Sequence, residues 1–427
     1  MIEDFLDSIG ISFDRFCKEM TGGWMFGYID ALQHAGFKTI LFCVSARVTL
    51  PSRRTHMPTG STICVLPASN SYRAIHRRML NPYGWSVRDA FGDARGARYV
   101  MLAILKNVAP YLATPLRKLA RELRNENCKA ILCQEYEYAR FDMCVLLGHL
   151  MRLPVFATFQ GGDYKYSQLE HLLRPFTMRF CSGLIIASNV EIQRVRSRYG
   201  VSLRKIARIF NPLDLRVWHG GNRSLARQAL NIPSEAQVVV WHGRIDLHRK
   251  GLDILIDAWE RVHRNRSGRD LRLLLVGTGS DVELLRQRLS VMQLRGVLWV
   301  NEYILDRTAI RNYLSAADIY VLPSRHEGFP VAPLEAMACG LPVVATDAPG
   351  VSDILEGGEN SGGIVVPREN SEAMALAIGR ILDNEPLRRD LGRQARLRVE
   401  SQFSLEAVGK QLRSFIGRAE ACRCPSV

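Results

Sequence analysis

Two carboxylates, Glu327 and Glu335, lie in the stretch LPSRHEGFPVAPLEAMACGLPVVATD (residues 322–347) with seven residues between them. Glu327 lies in a short polar loop, and Glu335 lies about one and a half turns into a helix pattern. Both can therefore face one ligand across the helix start, where unpaired N–H groups favour an anion. Carboxylates that accept hydrogen bonds from hydroxyls beside a phosphate are what a sugar nucleotide requires. Either glutamate alone is more often an ordinary turn or solvated residue.

The elements around the two glutamates follow from proline and glycine punctuation. Pro330 and Pro333 suit a first helical turn, where a missing N–H costs nothing. Gly340 followed by Pro342 ends the helix. The apolar run 343–345 then predicts a strand buried on both faces. The stretch therefore predicts strand, loop, helix and strand.

This stretch resembles the signature of the family 4 glycosyltransferases, glycosyl transferases group 1. The match is Glu327-Gly328-Phe329, then Pro333-Leu334-Glu335-Ala336, then Gly340-Leu-Pro-Val-Val-Ala-Thr346. The resemblance implies an α/β GT-B fold, in which two Rossmann-like doubly wound domains face each other across a cleft and a C-terminal helix crosses back to the first domain. It also implies that Glu327 binds the donor sugar near the reacting carbon and Glu335 the ribose. The neighbouring residues predicted to bind the donor are Gly328, Phe329, Pro330 and Val331.

Two further segments of the second domain fit the same donor. Arg244 and Lys250 follow a strand pattern, and the resemblance has them grip the diphosphate, the arginine as a planar fork and the lysine as a compact charge. Ordinary solvation of a charged loop is the alternative for both. Gly277 and Gly279 end another buried strand, and by the resemblance this loop closes over the nucleotide. No Asp-x-Asp pair occurs in the sequence, so we expect a metal-independent enzyme without a cofactor, whose leaving diphosphate is stabilised by these cations and the helix start after Glu327.

The start of the first domain is less regular. The run 9–13 (IGISF) predicts a strand, followed by a glycine loop at Gly22 and Gly23, a helix over 26–34 and a strand over 39–45. This order is the start of a doubly wound sheet. The resemblance places the glycine loop against the donor phosphates or the acceptor, and a plain tight turn is an equal alternative.

A later strand pattern, 154–159, ends in Gln160-Gly-Gly-Asp163. The resembled family often carries a histidine near this point, whereas glutamine can bind a hydroxyl but cannot act as a base. Gln160 and Asp163 are therefore predicted to position a sugar.

The domain boundaries are predicted at 1–212 for the acceptor-side domain, 213–402 for the nucleotide-sugar domain and 403–427 for the crossing helix and tail.

Composition and charge restrict the class of protein. With 47% hydrophobic and 23% charged residues, the sequence is typical of a soluble globular protein. Its acidic start is unlike a signal peptide, so a cytoplasmic location is expected, with the inner face of the plasma membrane as a second site. Residues 1–212 carry 29 Lys and Arg against 16 Asp and Glu, whereas residues 213–427 carry 28 against 26. A basic first domain suits an anionic membrane or an acidic acceptor, and no nucleic-acid signature accompanies the charge.

The resemblance thus implies a retaining hexosyltransferase in surface polysaccharide or glycolipid biosynthesis. It would move a sugar from a nucleoside-diphosphate sugar to a hydroxyl of a glycan or glycolipid, and no protein nucleophile is assigned. A nucleotide-sugar epimerase of the same fold is the enzyme alternative. A non-catalytic basic surface-binding protein is the other.

Overall fold

The computed structural model describes residues 1–82, 84, 86–161 and 167–421, and the predicted site residue Asp163 lies outside them. Among the described residues, no helix is both long and apolar enough to cross a membrane.

The first domain alternates helices with mostly parallel strands. Its helices are α1 (Ile2–Ser8), α2 (Phe13–Lys18), α3 (Gly23–His34), α4 (Asn70–His76), α5 (Val87–Phe91), α6 (Gly96–Ala113), α7 (Leu116–Asn125), α8 (Ala139–Met151), α9 (Gln168–Phe180) and α10 (Asn189–Tyr199). Its strands are β1 (Ile40–Ser45), β2 (Ser52–Thr55), β3 (Thr62–Pro67), β4 (Ile131–Cys133), β5 (Val155–Thr158), β6 (Gly183–Ile185) and β7 (Ile206–Ala207).

These strands form two sheets. One has the order β1-β3-β2, in which β2 is antiparallel, and the other is the parallel series β4-β5-β6-β7. A shared core joins them, because Cys64 and Leu66 of β3 pack in one cluster with Cys133 of β4 and Ala157 of β5. The helices α7, α8, α9 and α10 contribute their apolar faces to the same cluster.

The predicted strand over 9–13 is wrong. Residues 9–12 connect two helices, and Ser12 caps α2 by accepting a hydrogen bond from the Arg15 N–H at 3.2 Å. The apolar residues that suggested a strand are buried against helices instead: Ile11 and Phe16 pack with Phe26 of α3. Because capping and helix packing satisfy the same residues, the short apolar alternation was a misleading signal. The glycine loop, the helix and the strand after it form as predicted.

The second domain holds one parallel sheet of six strands in the order β10-β9-β8-β11-β12-β13. The strands are β8 (Gln237–His242), β9 (Leu271–Val276), β10 (Val297–Val300), β11 (Ile319–Leu322), β12 (Val343–Thr346) and β13 (Gly363–Val366). The helices are α11 (Arg223–Ala229), α12 (Leu252–Arg264), α13 (Val282–Met292), α14 (Arg307–Ala316), α15 (Ala332–Ala338), α16 (Val351–Ile354), α17 (Ser371–Leu382) and α18 (Glu385–Gln402).

Both faces of this sheet are covered. Val343 and Ala345 pack in one core cluster and Val344 in the other, and all three are fully buried. The strand at 343–345 is therefore buried on both faces, as predicted.

The last helix, α19 (Leu405–Ala421), returns to the first domain. Its Val408 and Leu412 pack with Tyr28 and Ala31 of α3. Close to its start, the Leu213 N–H donates to the Phe403 carbonyl at 2.7 Å, so the two chain crossings between the domains lie side by side. The fold is thus the two-domain arrangement with a crossing helix that the sequence predicted.

Candidate functional site

Three loops, which follow β8, β9 and β11, meet at the carboxyl edge of the second domain's sheet. Open α/β sheets bind ligands at this edge. A Cβ on Gly277 would lie 1.9 Å from the Gly243 carbonyl oxygen, and a Cβ on Gly279 would lie 2.1 Å from that of Ile245. The Ile245 N–H also donates to the Thr278 carbonyl at 2.9 Å. The loops after β8 and β9 therefore lie edge to edge, and only glycine fits at positions 277 and 279.

Lys250 and Glu327 form an ion pair at this edge. The Lys250 Nζ lies 2.8 Å and 3.0 Å from the two carboxylate oxygens of Glu327, which also accepts a hydrogen bond from Ser324 at 2.6 Å. Glu327 is only 7% exposed. Lys250 reaches it because Gly251 adopts a left-handed φ of 63° and packs on Pro323, where a Cβ would lie 2.0 Å from the carbonyl oxygen. The sequence predicted both residues but not their direct contact.

A small cavity of about 190 Å³ opens beside this ion pair. Two predicted donor residues, Pro330 and Val331, line it together with the ion pair. The full lining is Trp241, His242, Gly243, Lys250, Leu322, Glu327, Pro330, Val331 and Ala332.

Glu335 lies in α15, as predicted, and is held by a residue that the sequence analysis missed. The His242 Nε2 lies 2.8 Å from the Glu335 Oε2. His242 is 8% exposed, and its Nδ1 is buried with no hydrogen-bond partner among the described residues. A histidine ending a strand just before Arg244 was the signal that could have identified it. The pair fixes the position of one carboxylate oxygen of Glu335.

Other predicted donor residues occupy different surroundings. Arg244 is 63% exposed and lies 3.9 Å from Asp246, so its guanidinium is available to an incoming anion. Phe329 instead stacks on Phe210 with ring centroids 5.4 Å apart, next to Phe403 in the core between the domains. Any contact of Phe329 with a donor would come from its backbone. Helix α15 is only seven residues long, so the site's positive charge comes chiefly from Lys250 and Arg244.

The loop at Gln160 and Gly161 in the first domain directly contacts the loop at Gly328 in the second. A Cβ on Gly328 would lie 2.6 Å from the Cα of Gly161, so two glycines allow the backbones to meet. Gln160 itself accepts a hydrogen bond from the Asn211 side chain at 3.1 Å. The structure therefore brings Gln160 close to the Glu327 loop.

A buried carboxyl, that of Glu135, holds the loop at Gln160 by a hydrogen bond. It follows β4 with a left-handed φ of 75° and accepts a hydrogen bond from the Gln160 N–H at 2.8 Å. Burial raises the pKa of Glu135 from 4.5 to about 7, and the charge of Glu137 adds to this shift. A strained, buried carboxyl at the carboxyl end of a strand is typical of functional regions.

The glycine loop of the first domain is covered by Arg307 from the second. Arg307 donates to the Thr21 carbonyl, and a Cβ on Gly22 would lie 1.9 Å from its guanidinium. Burial lowers the pKa of Arg307, and the charges of Glu335 and Asp30 oppose this shift. Gly22 precedes α3 and Gly23 is its first residue. Beside this contact lies an interdomain cavity of about 770 Å³, which Thr21 and Arg307 help to line.

Comparison with solved structures establishes the class of fold. Sucrose-phosphate synthase from Thermosynechococcus elongatus superposes with a TM-score of 0.66 at 21% identity, covering 95% of each chain. HepE from Anabaena, solved in complex with UDP, superposes with a TM-score of 0.67 at 16% identity, covering 94% of this chain and 98% of its own. The chain has the GT-B fold.

Sequence comparison then defines the family of the second domain. Residues 236–384 match the family model described as glycosyl transferases group 1. The D-inositol 3-phosphate glycosyltransferase of Saccharomonospora viridis is 31% identical over 219 residues, 50% of each chain. The lipopolysaccharide core biosynthesis mannosyltransferase LpsB of Rhizobium meliloti is 29% identical over 274 residues, 61% of this chain and 72% of its own. The match thus spans about half the length of the first relative. Residues 236–384 thus match glycosyl transferases group 1, the family that the signature at residues 322–347 resembles.

Proposed function

We propose that this protein is a retaining, metal-independent hexosyltransferase that uses a nucleoside-diphosphate sugar as donor. The observation that carries the proposal is the Lys250–Glu327 ion pair in a cavity at the edge of the sheet. Glu335 lies on the adjoining helix, held by His242. One cation and two carboxylates thus converge where a nucleotide sugar offers phosphates and hydroxyls. HepE, which shares the fold, was solved with UDP, and this supports a nucleoside diphosphate as the ligand class.

The cations act on the leaving group in this proposal. Departure of a nucleoside diphosphate leaves negative charge on the β-phosphate, and preorganised donors stabilise it. Lys250 is held by Glu327 and by the Gly251 turn, so its ammonium is already positioned. Arg244 is exposed and adds a planar pair of donors once the phosphates arrive.

Glu327 and Glu335 act on the two ends of the donor. While it holds Lys250, the Glu327 carboxylate can also accept hydrogen bonds from the hydroxyls of the donor sugar, because its two oxygens offer about four acceptor sites. The free oxygen of Glu335 accepts from the ribose hydroxyls. The bond between the anomeric carbon and the phosphate oxygen breaks, the acceptor oxygen bonds to that carbon on the same face, and the proton of the acceptor hydroxyl passes to the leaving phosphate. The phosphate thus acts as the base, and no protein nucleophile is assigned.

The acceptor side is proposed to be the first domain. Gln160 and Asp163 would position the acceptor or the transferred sugar, and the glycine loop at Gly22 and Gly23 would meet the phosphates. A glycan or glycolipid acceptor in surface polysaccharide or glycolipid biosynthesis is the proposed context. The protein would then work in the cytoplasm, at the inner face of the plasma membrane.

Replacement of Glu327 tests the proposal. Glu327→Gln keeps the shape of the side chain and removes the charge, so we expect loss of nucleoside-diphosphate release from the donor sugar, by roughly 10²-fold or more. Glu372→Gln, at an exposed glutamate of α17, is the matched control and should retain the wild-type rate. Circular dichroism confirms that both variants are folded.

Product analysis separates the remaining possibilities. Retention is tested by NMR of the anomeric proton of the transferred sugar, and metal independence by activity in EDTA. A product with the mass of the donor and an altered sugar would identify an epimerase instead. Normal turnover by Glu327→Gln would contradict the proposed site.

A further inference from the structure

Residues 95–208 form a continuous part of the chain whose exposed charged side chains are basic. Within the described residues of this range, no Asp or Glu side chain is exposed, and Glu126 is half-buried. The exposed basic side chains are Arg95, Arg98, Arg117, Arg121, Arg124, Lys129, Arg140, Arg152, Arg179, Arg196, Arg198 and Arg204.

The carboxylates of this range are used inside the domain. Asp142 lies 2.9 Å from the Arg174 guanidinium, and both side chains are almost fully buried. Glu137 and Glu191 lie 2.7 Å and 2.6 Å from the same nitrogen of Arg194. Interior ion pairs therefore consume the negative charge, and the surplus positive charge remains at the surface.

Large apolar side chains are exposed in the same range of residues. On α9, Leu172, Phe176 and Phe180 recur every four residues and are 64%, 55% and 69% exposed. On α8, Leu146 and Leu150 have the same spacing and are also exposed. Residues four apart share one face of a helix, so each helix presents an apolar stripe to solvent. We call these five residues the apolar ridge.

The ridge lies between two basic helices. Helix α8 packs against both α7 and α9, and α9 packs in turn against α10. Helix α7 exposes Arg117, Arg121 and Arg124 at helical spacing, and α10 exposes Arg196 and Arg198. Helix α6, which also packs on α8 and α9, adds exposed apolar residues, Tyr99, Val100, Met101 and Ile104. An apolar ridge flanked by arginines is the pattern of a surface that lies on an anionic membrane.

We propose that the ridge and its flanking arginines dock the protein on an anionic lipid bilayer. The apolar side chains would enter the boundary between headgroups and acyl chains, and the arginines would contact anionic headgroups. The choice of a lipid surface rests on the proposed function, because a glycolipid acceptor is presented at such a surface. Nucleic acid is disfavoured, because five exposed Leu and Phe side chains find no apolar partner along a phosphate backbone.

Vesicle sedimentation with the full chain tests the proposal. The protein should sediment with phosphatidylcholine vesicles that contain phosphatidylglycerol and stay in solution with phosphatidylcholine alone. Added salt should weaken the binding, because surface charges are screened. The double variant Phe176→Ser/Phe180→Ser should bind roughly tenfold more weakly. The matched control, Leu376→Ser/Leu397→Ser, changes two exposed leucines of the second domain and should bind as the wild type does.

Three results would overturn the proposal. One is equal binding to both kinds of vesicle, or to neither. Another is a ridge variant that converts a dimer to a monomer in light scattering, which would make the ridge a contact between copies. The last is binding to RNA that the ridge variant loses to the same degree.

A thermal shift with nucleotide sugars, measured on the same variants, separates this proposal from the transferase proposal. The ridge variant should keep the wild-type shift, because the ridge belongs to the first domain and none of its residues lines the cavity at Lys250 and Glu327. Vesicle binding without any nucleotide-sugar shift would leave the docking surface standing and refute the transferase.

Discussion

The two domains use charge in opposite ways. In the second domain, Lys250 and Glu327 pair beside one cavity at a sheet edge, and His242, which also lines this cavity, holds Glu335 of α15. In residues 95–208 of the first domain, carboxylates are paired in the interior and arginines cover the outside. The charges of the second domain are thus gathered at one cavity, whereas those of the first domain are spread over an extended surface.

The largest effect on activity is expected at Lys250. Lys250→Ala removes the cation of the cavity and leaves Glu327 buried without it, so we expect kcat to fall by roughly 10²–10³-fold. The measurement is steady-state release of nucleoside diphosphate. Lys410→Ala, at an exposed lysine of α19, is the control and should change nothing. A Lys250→Ala enzyme within twofold of the wild type would place the anion site elsewhere.

Glu135 tests whether the first domain also holds a strained, functional carboxyl. The unfolded chain releases this proton near pH 4.5, whereas the folded chain keeps it to about pH 7. Between these values the folded state binds more protons, so its contribution to stability falls as pH rises from about 4.5 to 7 and is level above. The whole change is roughly 3 kcal/mol.

The measurement is urea unfolding of the wild type and of Glu135→Gln across this pH range. Relative to the wild type, the variant should gain stability as pH rises, because it lacks the titrating group. Arg140 and Glu137 face Glu135 and are unchanged in both proteins. A stability difference that is constant with pH would show that Glu135 titrates normally.

Gly161 tests the contact between the two regions. In Gly161→Ala, the new Cβ would lie 2.7 Å from the Cα of Gly328 and displace the loop at Gly328. We expect this clash to lower the free energy of unfolding by about 1–3 kcal/mol. We expect lower kcat/KM together with lower stability.

Gly60→Ala is the matched control for Gly161→Ala. Gly60 has a left-handed φ of 68° and Gly161 one of 94°, but nothing lies within 4 Å of a Cβ at position 60. Gly60→Ala therefore carries backbone strain without the clash and should keep its activity. Equal losses in both variants would mean that strain, rather than the interdomain contact, is responsible.

His242 gives the smallest expected effect. His242→Leu frees Glu335 to move, so the KM for the donor should rise roughly tenfold while kcat changes little, as expected for one hydrogen bond to a charged group. His242→Gln can still donate to Glu335 and should recover part of the loss. His149→Gln, at an exposed histidine of α8, is the control. A fall in kcat without a change in KM would contradict a role in holding Glu335.

Sequence reasoning predicted the second domain well because its signals are local. Gly340 and Pro342 end α15 where the pattern indicates, and the buried run at 343–345 forms β12. Glycine and proline act through their own backbone, so their effect is visible in sequence.

Sequence reasoning failed where distant residues decide. The run 9–13 looked like a strand, but packing of Ile11 and Phe16 on Phe26 makes it a link between helices. The contact of Arg307 with Thr21 joins positions far apart in the chain, and no spacing predicts it. Likewise, the exposure of Phe176 and Phe180 depends on how α9 packs against its neighbours, which the sequence does not show.

The central claim is that the cavity of Lys250 and Glu327, together with Glu335 on the adjoining helix, binds a nucleotide sugar. A thermal-shift screen with UDP, GDP, ADP and CMP sugars tests it most directly. A ligand at a hundred times its dissociation constant should stabilise the wild type by about 2.7 kcal/mol, and Lys250→Ala should lose that gain. No shift with any of these donors, or an undiminished shift in Lys250→Ala, would contradict the claim.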